Sequence, residues 1–118
     1  MIMRLGHIEI FVNEPLRSKE FYINILGFEL IEIQHEKFVW LKKRESVILL
    51  RPGINHIIHK TYQETDIAFV MYTDNIENAL ADLKSSNIEI KGSDGDGCYT
   101  FTDPDGNWIQ LVDPSSKS

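Results

Sequence analysis

The chain has 118 residues, a length that suits one domain with a core of its own. Its 42% hydrophobic, 10% aromatic and 25% charged residues exclude disordered, collagen-like and simple coiled-coil chains. Twelve Lys and Arg against 18 Asp and Glu leave a net charge of −6, which repels a phosphate backbone and argues against nucleic acid as a partner.

Leu5 to Val12 reads as a strand, because Ile8, Ile10 and Val12 alternate with His7, Glu9 and Phe11. Asn13 or Glu14 then opens a helix with Pro15 in its first turn, and Phe21, Tyr22, Ile25 and Leu26 follow at helical spacing until Gly27 stops it. Extended segments are expected at Phe28 to His35, Lys37 to Lys43 and Ser46 to Arg51, closed by Pro52 and Gly53. Residues 54 to 65 lack clean periodicity and read as a mobile connection, with His56 and His59 as surface residues. Alternation resumes over Asp66 to Tyr72, and Asp74 with Glu77 makes a capping box for a helix carrying Ile76, Ala79, Leu80 and Leu83. Asn87 ends that helix in the left-handed region, and strands follow at Ile88 to Lys91, Cys98 to Thr102 and Trp108 to Asp113. The run Asp94, Gly95, Asp96, Gly97 reads as a turn, since Tyr99 and Asp105 fall where a calcium loop needs Gly and Glu.

The order strand, helix, three strands occurs twice. His7 to Val12 aligns with Asp66 to Met71 at an offset of 59, and Val47 to Leu50 with Trp108 to Leu111 at an offset of 61. The expected fold is α+β: two tandem βαβββ units forming one curved mixed sheet, with helices on the convex side and a concave pocket. Residues 1–118 make one domain in this reading, with unit one about 1–53, the connection 54–65 and unit two about 66–113.

No apolar stretch approaches a membrane span, and Glu9 and Glu14 break the region where a signal sequence needs an apolar run. A cytoplasmic protein with no membrane partner is expected. The single cysteine, Cys98, closes no intrachain disulfide and reads as a small strand residue. No Gly-rich phosphate loop, nucleophile elbow or His-Glu-x-x-His motif is present.

If His7 faces the concave side, alternation sends Glu9 and Phe11 there too, with Val47, Leu49 and Arg51, with Asp66, Ala68 and Val70, and with Trp108, Gln110 and Val112. Ile8, Ile10, Ile48, Leu50, Ile67, Phe69, Ile109 and Leu111 then pack under the helices. Aromatic walls from Phe11 and Trp108, joined by Trp40 or Tyr99, and a few polar groups suit a small, partly aromatic organic ligand. Glu9 is the first candidate for a general base, on the expectation that an apolar wall raises its pKa, and His7 the second.

The first helix ending Phe21, Tyr22, three residues, Leu26, Gly27, Phe28, and the last hairpin reading Phe101 to Leu111 through Asp103, Pro104, Asp105, Gly106, Asn107, resemble the vicinal oxygen chelate superfamily. That group includes glyoxalase I, extradiol dioxygenases, fosfomycin-resistance thiol transferases and bleomycin-resistance proteins. The resemblance implies a divalent ion held from the first and last strands of each unit. Here His7 matches the usual histidine, Leu49 takes a position that cannot ligate, Asp66 stands where a histidine is usual, and Gln110 replaces a glutamate. A degenerate site of His7, Asp66 and Gln110 is therefore expected, with no cofactor required and a divalent metal possible. Three functions follow: metal-free ligand binding of the bleomycin-resistance kind; a metal-dependent lyase, thiol transferase or dioxygenase with Glu9 or His7 moving protons; or an interaction domain with a vestigial cavity. A homodimer fits all three.

Overall fold

The computed structural model describes residues 2–54, 57–93, 95 and 97–116. His56, Asp94 and Asp96 lie outside the described residues. The chain divides into two compact units, Met1–Ile57 and Ile58–Ser118. Unit one runs β1 (Ile8–Val12), α1 (Pro15–Asn24), β2 (Glu29–Gln34), β3 (Phe38–Lys43) and β4 (Ser46–Pro52). Unit two runs β5 (Phe69–Tyr72), α2 (Ile76–Ser85), β6 (Cys98–Thr102) and β7 (Trp108–Val112), with short 3-10 turns at Tyr62–Glu64 and Pro114–Ser116. The α+β class and the repeated opening of strand, helix and returning strands are as expected from the periodicity. The strands form two sheets, one in each unit.

In unit one the order is β1-β4-β3-β2, with β1 parallel to β4 and the other pairs antiparallel. Ile10, Val12, Val39, Leu41, Ile48 and Leu50 are buried on one face, and α1, with Phe21 and Tyr22 buried, lies against β3 and β4. Burying one such side chain is worth about 1.5–3 kcal/mol, so this layer is what holds the unit together. Pro15 opens α1 because its missing N–H costs nothing there, and Glu14 is the N-cap without a side-chain bond. Gly27 follows at φ +78°, a conformation costly for other residues, and a Cβ there would meet Lys43 Nζ at 2.7 Å. The first strand begins at Ile8 and not Leu5, because the β4 ladder gives residues 5–7 no partner. Ile8 is accordingly exposed, against the expectation that it packs under a helix.

Unit two orders its strands β5-β7-β6. The fourth strand expected at Ile88 to Lys91 does not form. Asn87 is left-handed at φ +62°, as expected, but the chain then meets β6 through isolated backbone contacts and not a ladder: the Lys91 N–H on the Thr100 carbonyl, the Thr100 N–H on the Gly92 carbonyl, and a bridge between Ser93 and Tyr99. Asp66, Ile67 and Ala68 precede β5, since the β5–β7 ladder starts at Phe69 opposite Ile109. Ile67, expected in the core, is 77% exposed. The cap of α2 is Asn75, whose Oδ1 accepts from the Asn78 N–H at 3.0 Å, and not Asp74; the helix starts one residue later than the Asp74–Glu77 spacing implies. Cys98 is buried in β6.

The hairpin of β6 and β7 turns on Asp103. Its Oδ1 accepts from the N–H groups of Asp105 and Asn107 at 2.8 and 2.9 Å, and its Oδ2 from Asn107 Nδ2 at 2.8 Å. Gly106 closes the turn at φ +87°, and a Cβ there would sit 3.0 Å from Ile58 Cγ2. Of the expected connection 54–65, residues 58–65 fall in unit two. Thr61 and Glu64 form a reciprocal capping box, with Glu64 Oε1 accepting from the Thr61 N–H and hydroxyl at 3.0 Å each.

Candidate functional site

The face of the unit-one sheet opposite the buried aliphatic layer carries the polar and aromatic groups. Register sets it in rows: Glu9 pairs with Leu49 and Leu49 with Trp40, while Phe11 pairs with Arg51. Phe38 precedes Val39, which pairs with Leu50, so Phe38 and Arg51 share a level and a face. His7 stands just before β1, half-buried beside Glu9.

These side chains form a continuous network. Arg51 Nη1 donates to Glu9 Oε1 at 2.8 Å, and Glu9 Oε2 lies 3.1 Å from His7 Nε2, which donates when it carries the proton. The His7 ring stands edge-on to Trp40, with centroids 4.7 Å apart. Trp40 Nε1 donates to Gln34 Oε1 at 2.9 Å, and Gln34 Nε2 to Glu32 Oε2 at 3.1 Å. The Arg51 guanidinium carbon is 5.4 Å from the ring centroids of both Phe11 and Phe38, a cation–π geometry on each side. Arg51 Nε is buried and has no hydrogen-bond partner, the one side-chain atom of that kind among the described residues.

The expectation for Glu9 is reversed in one respect. Its carboxyl is held below the ordinary glutamate value of 4.5, first by the hydrogen bond from Arg51 and then by that from His7. Glu9 and Arg51 each keep about 36% of their side-chain surface exposed, so an apolar wall does not set the titration. The face thus holds a fixed carboxylate with both oxygens engaged. Phe38, Gln34 and Glu32 escaped the sequence reading; the alternation of β3 already placed Phe38 with Trp40, but only the β2–β3 register brings Gln34 and Glu32 alongside.

Unit two holds the remaining candidates. Trp108, Gln110 and Val112 alternate onto one face of β7, with Val70 and Thr100 flanking Gln110. Tyr99 pairs with Leu111 and therefore lies on the other face, so it does not join Trp108 as a wall. Trp108 is 2% exposed: its indole N–H donates to the His59 carbonyl at 3.1 Å, Tyr62 meets its ring edge-on at 6.2 Å, and Lys91 Nζ lies 5.9 Å from the ring centre while donating to Thr102 Oγ1. Val112 and Gln110 are buried as well, whereas Val70 is exposed. Asp66 and Ala68 border a shallow groove of about 310 Å³ with Tyr62, Gln63, Thr65 and Ile67.

The four positions that would hold the divalent ion of the resembled superfamily do not supply its donors. Leu49 is buried at 5% exposure and has no lone pair; Gln110 is buried and neutral; Asp66 sits on an exposed bend outside the strand. His7, the one conventional donor, has its Nε2 against Glu9. Within neither unit do three described His, Cys, Asp or Glu side chains converge as a metal site would require. The donor set does not fit the ion.

Comparison with known proteins accords with the duplicated fold. The model of the Glyoxalase/Bleomycin resistance protein/Dioxygenase superfamily matches residues 4–111. The metallothiol transferase FosB of Staphylococcus haemolyticus is 30% identical over 122 residues, covering 94% of this chain and 84% of its own. The lactoylglutathione lyase of Schizosaccharomyces pombe is 27% identical over 144 residues, covering 95% of this chain but 48% of its own, so the chain spans about half the length of that relative. Among solved structures, the antibiotic-binding protein TnmS3 from Streptomyces sp. CB03234 superposes with a TM-score of 0.74 at 19% identity, over 96% of this chain and 98% of that one, a likeness of fold. With a family match over nearly its whole length, the chain belongs to the Glyoxalase/Bleomycin resistance protein/Dioxygenase superfamily.

Proposed function

We propose that the protein binds a small, partly aromatic organic molecule on the polar and aromatic face of unit one, and that it does so without a metal. The observation that carries this reading is the set of half-exposed rings around a fixed ion pair: Phe11, Phe38 and Trp40 with Arg51 and Glu9, on a face where Leu49 stands in place of a ligating carboxylate. Rings held at fixed angles with few mobile polar groups bind flat molecules at low entropic cost. The metallothiol transferase relative and the antibiotic-binding neighbour are named for small-molecule chemistry, which supports a ligand of this size.

His7 and Glu9 serve in this reading as orienting groups; were a reaction to occur, they would be its first candidates for moving a proton. Within unit two, Ala68 and the exposed Val70 are proposed as ligand-contacting residues of that unit's own surface, with Trp108 and Val112 buried in the same sheet. Residues 1–118 act in this reading as one domain, and the protein pairs as a homodimer in the cytoplasm. No helix of the described residues is long and apolar enough to cross a membrane.

A thermal-shift screen with planar aromatic compounds, run beside calorimetric titration with nickel, zinc, manganese and iron(II), tests the reading. A ligand that prefers the folded state raises the melting temperature, by an amount that grows with concentration over Kd. The expected outcome is stabilisation by an aromatic compound, lost in Phe11→Ala, and no stoichiometric metal binding. Tight binding of one equivalent of metal that disappears in His7→Ala would overturn it.

A further inference from the structure

The orphaned Arg51 Nε narrows the ligand class, and this step rests on the reading of unit one's face as the ligand face. A guanidinium presents its N–H groups only within its own plane. Here Phe11 on β1 and Phe38 on β3 flank the β4 residue Arg51, each ring centre 5.4 Å from the guanidinium carbon. Glu9 takes Nη1 at 2.8 Å. Of the other guanidinium N–H groups, the one on Nε is buried and without an acceptor. An unmatched buried donor is costly, and an incoming oxygen in the guanidinium plane, reached by a small rotation of the half-exposed side chain, relieves that cost.

Charge decides which oxygen. The positive charge of Arg51 is already balanced by Glu9, Glu32 lies on the same face beside Trp40 and Gln34, and the chain carries a net charge of −6. A second anion would meet two carboxylates and only one guanidinium, whereas a neutral carbonyl oxygen accepts from Nε without adding charge. Phe11, 49% exposed, offers a flat body a ring to pack on beside the guanidinium. We propose that the Nε edge of Arg51 anchors the neutral carbonyl oxygen of a planar aromatic ligand, with Glu9 as the residue that makes the site select against carboxylates.

Three probes of equal width test this: 2-naphthamide, 2-naphthoate and 2-methylnaphthalene, titrated against the full chain with the Trp40 indole N–H resonance as reporter. The amide is expected to shift that resonance with the tightest apparent Kd, and Arg51→Lys to weaken it roughly tenfold, the worth of one charge-assisted hydrogen bond. In Glu9→Gln, where the guanidinium charge is released, the preference should move toward the naphthoate. Melting curves establish that each variant is folded; if Arg51→Lys is not, the Glu9→Gln arm decides. Equal binding of 2-methylnaphthalene and the amide overturns the proposal, as does a wild-type preference for the naphthoate or an unchanged preference in Glu9→Gln. If no naphthyl compound moves the Trp40 resonance, the reading of this face as a ligand site fails as well.

Discussion

At the scale of single residues, the ion pair of Glu9 and Arg51 sets the chemistry of the face. Two half-exposed charges gain little net stability from each other, because water screens them and both side chains must be held still. Their effect is on titration. Arg51 favours the charged form of Glu9, so the folded-state pKa falls below 4.5, and His7 adds to the shift. A depressed carboxyl contributes stability that is present above its unfolded pKa and is lost as the pH drops through the lower, folded value. The Glu9 carboxyl carbon, followed by NMR through an acid titration, should therefore show a midpoint below 4.5 in the wild type and a rise toward it in Arg51→Ala. A midpoint that stays put in the variant would mean that some group other than Arg51 holds it down. The same sign holds for Glu20, lowered chiefly by the hydrogen bond from Lys19.

At the scale of elements, the turn from Asp103 to Asn107 shows why a short polar motif marks this fold. Asp103 and Asp105 are buried, and the Asp103 carboxylate accepts from two backbone N–H groups and one side-chain amide. Removing it leaves those donors without their acceptor, so Asp103→Ala should cost roughly 2–3 kcal/mol in urea unfolding, with the slope on denaturant unchanged. A loss below about 0.5 kcal/mol would show that water replaces the carboxylate freely. Such local devices were legible in the sequence: Pro15, Gly27, Asn87 and the Asp103–Asn107 turn each announce a backbone geometry by residue type alone. What was not legible depended on pairing. Asp66 to Ala68 continue the alternation of β5, yet β7 offers them no ladder; Ile88 to Lys91 look like a strand, yet the chain leaves β6 near Gly92. The site divides in the same way. Alternation placed Glu9, Phe11 and Arg51 together, but the bond between positions 9 and 51, 42 residues apart, exists only through the parallel β1–β4 register, and it reverses the pKa expected from an apolar wall.

At the scale of the whole molecule, the proposed homodimer has to be reconciled with a net charge of −6. Like-charged copies repel at long range, so association needs apolar contact to outweigh a term that salt weakens. The edge strand β2 supplies a candidate surface. All six of its residues are exposed, Leu30, Ile31 and Ile33 among them, and the ladder to β3 slips at Ile31. An exposed edge strand with apolar side chains is the part of a sheet most prone to meet another copy, and although β2 carries Glu29 and Glu32 it has no lysine, the usual means of preventing such pairing. Ile31→Lys leaves the buried layer of unit one untouched, so the melting temperature of the separated monomer should hardly change. Light scattering over a concentration series should then show the wild type gaining mass as salt rises, while Ile31→Lys remains at the 13.7 kDa of a single chain. A wild type that stays monomeric at all salt concentrations would refute the dimer. A variant that still pairs would move the interface away from β2.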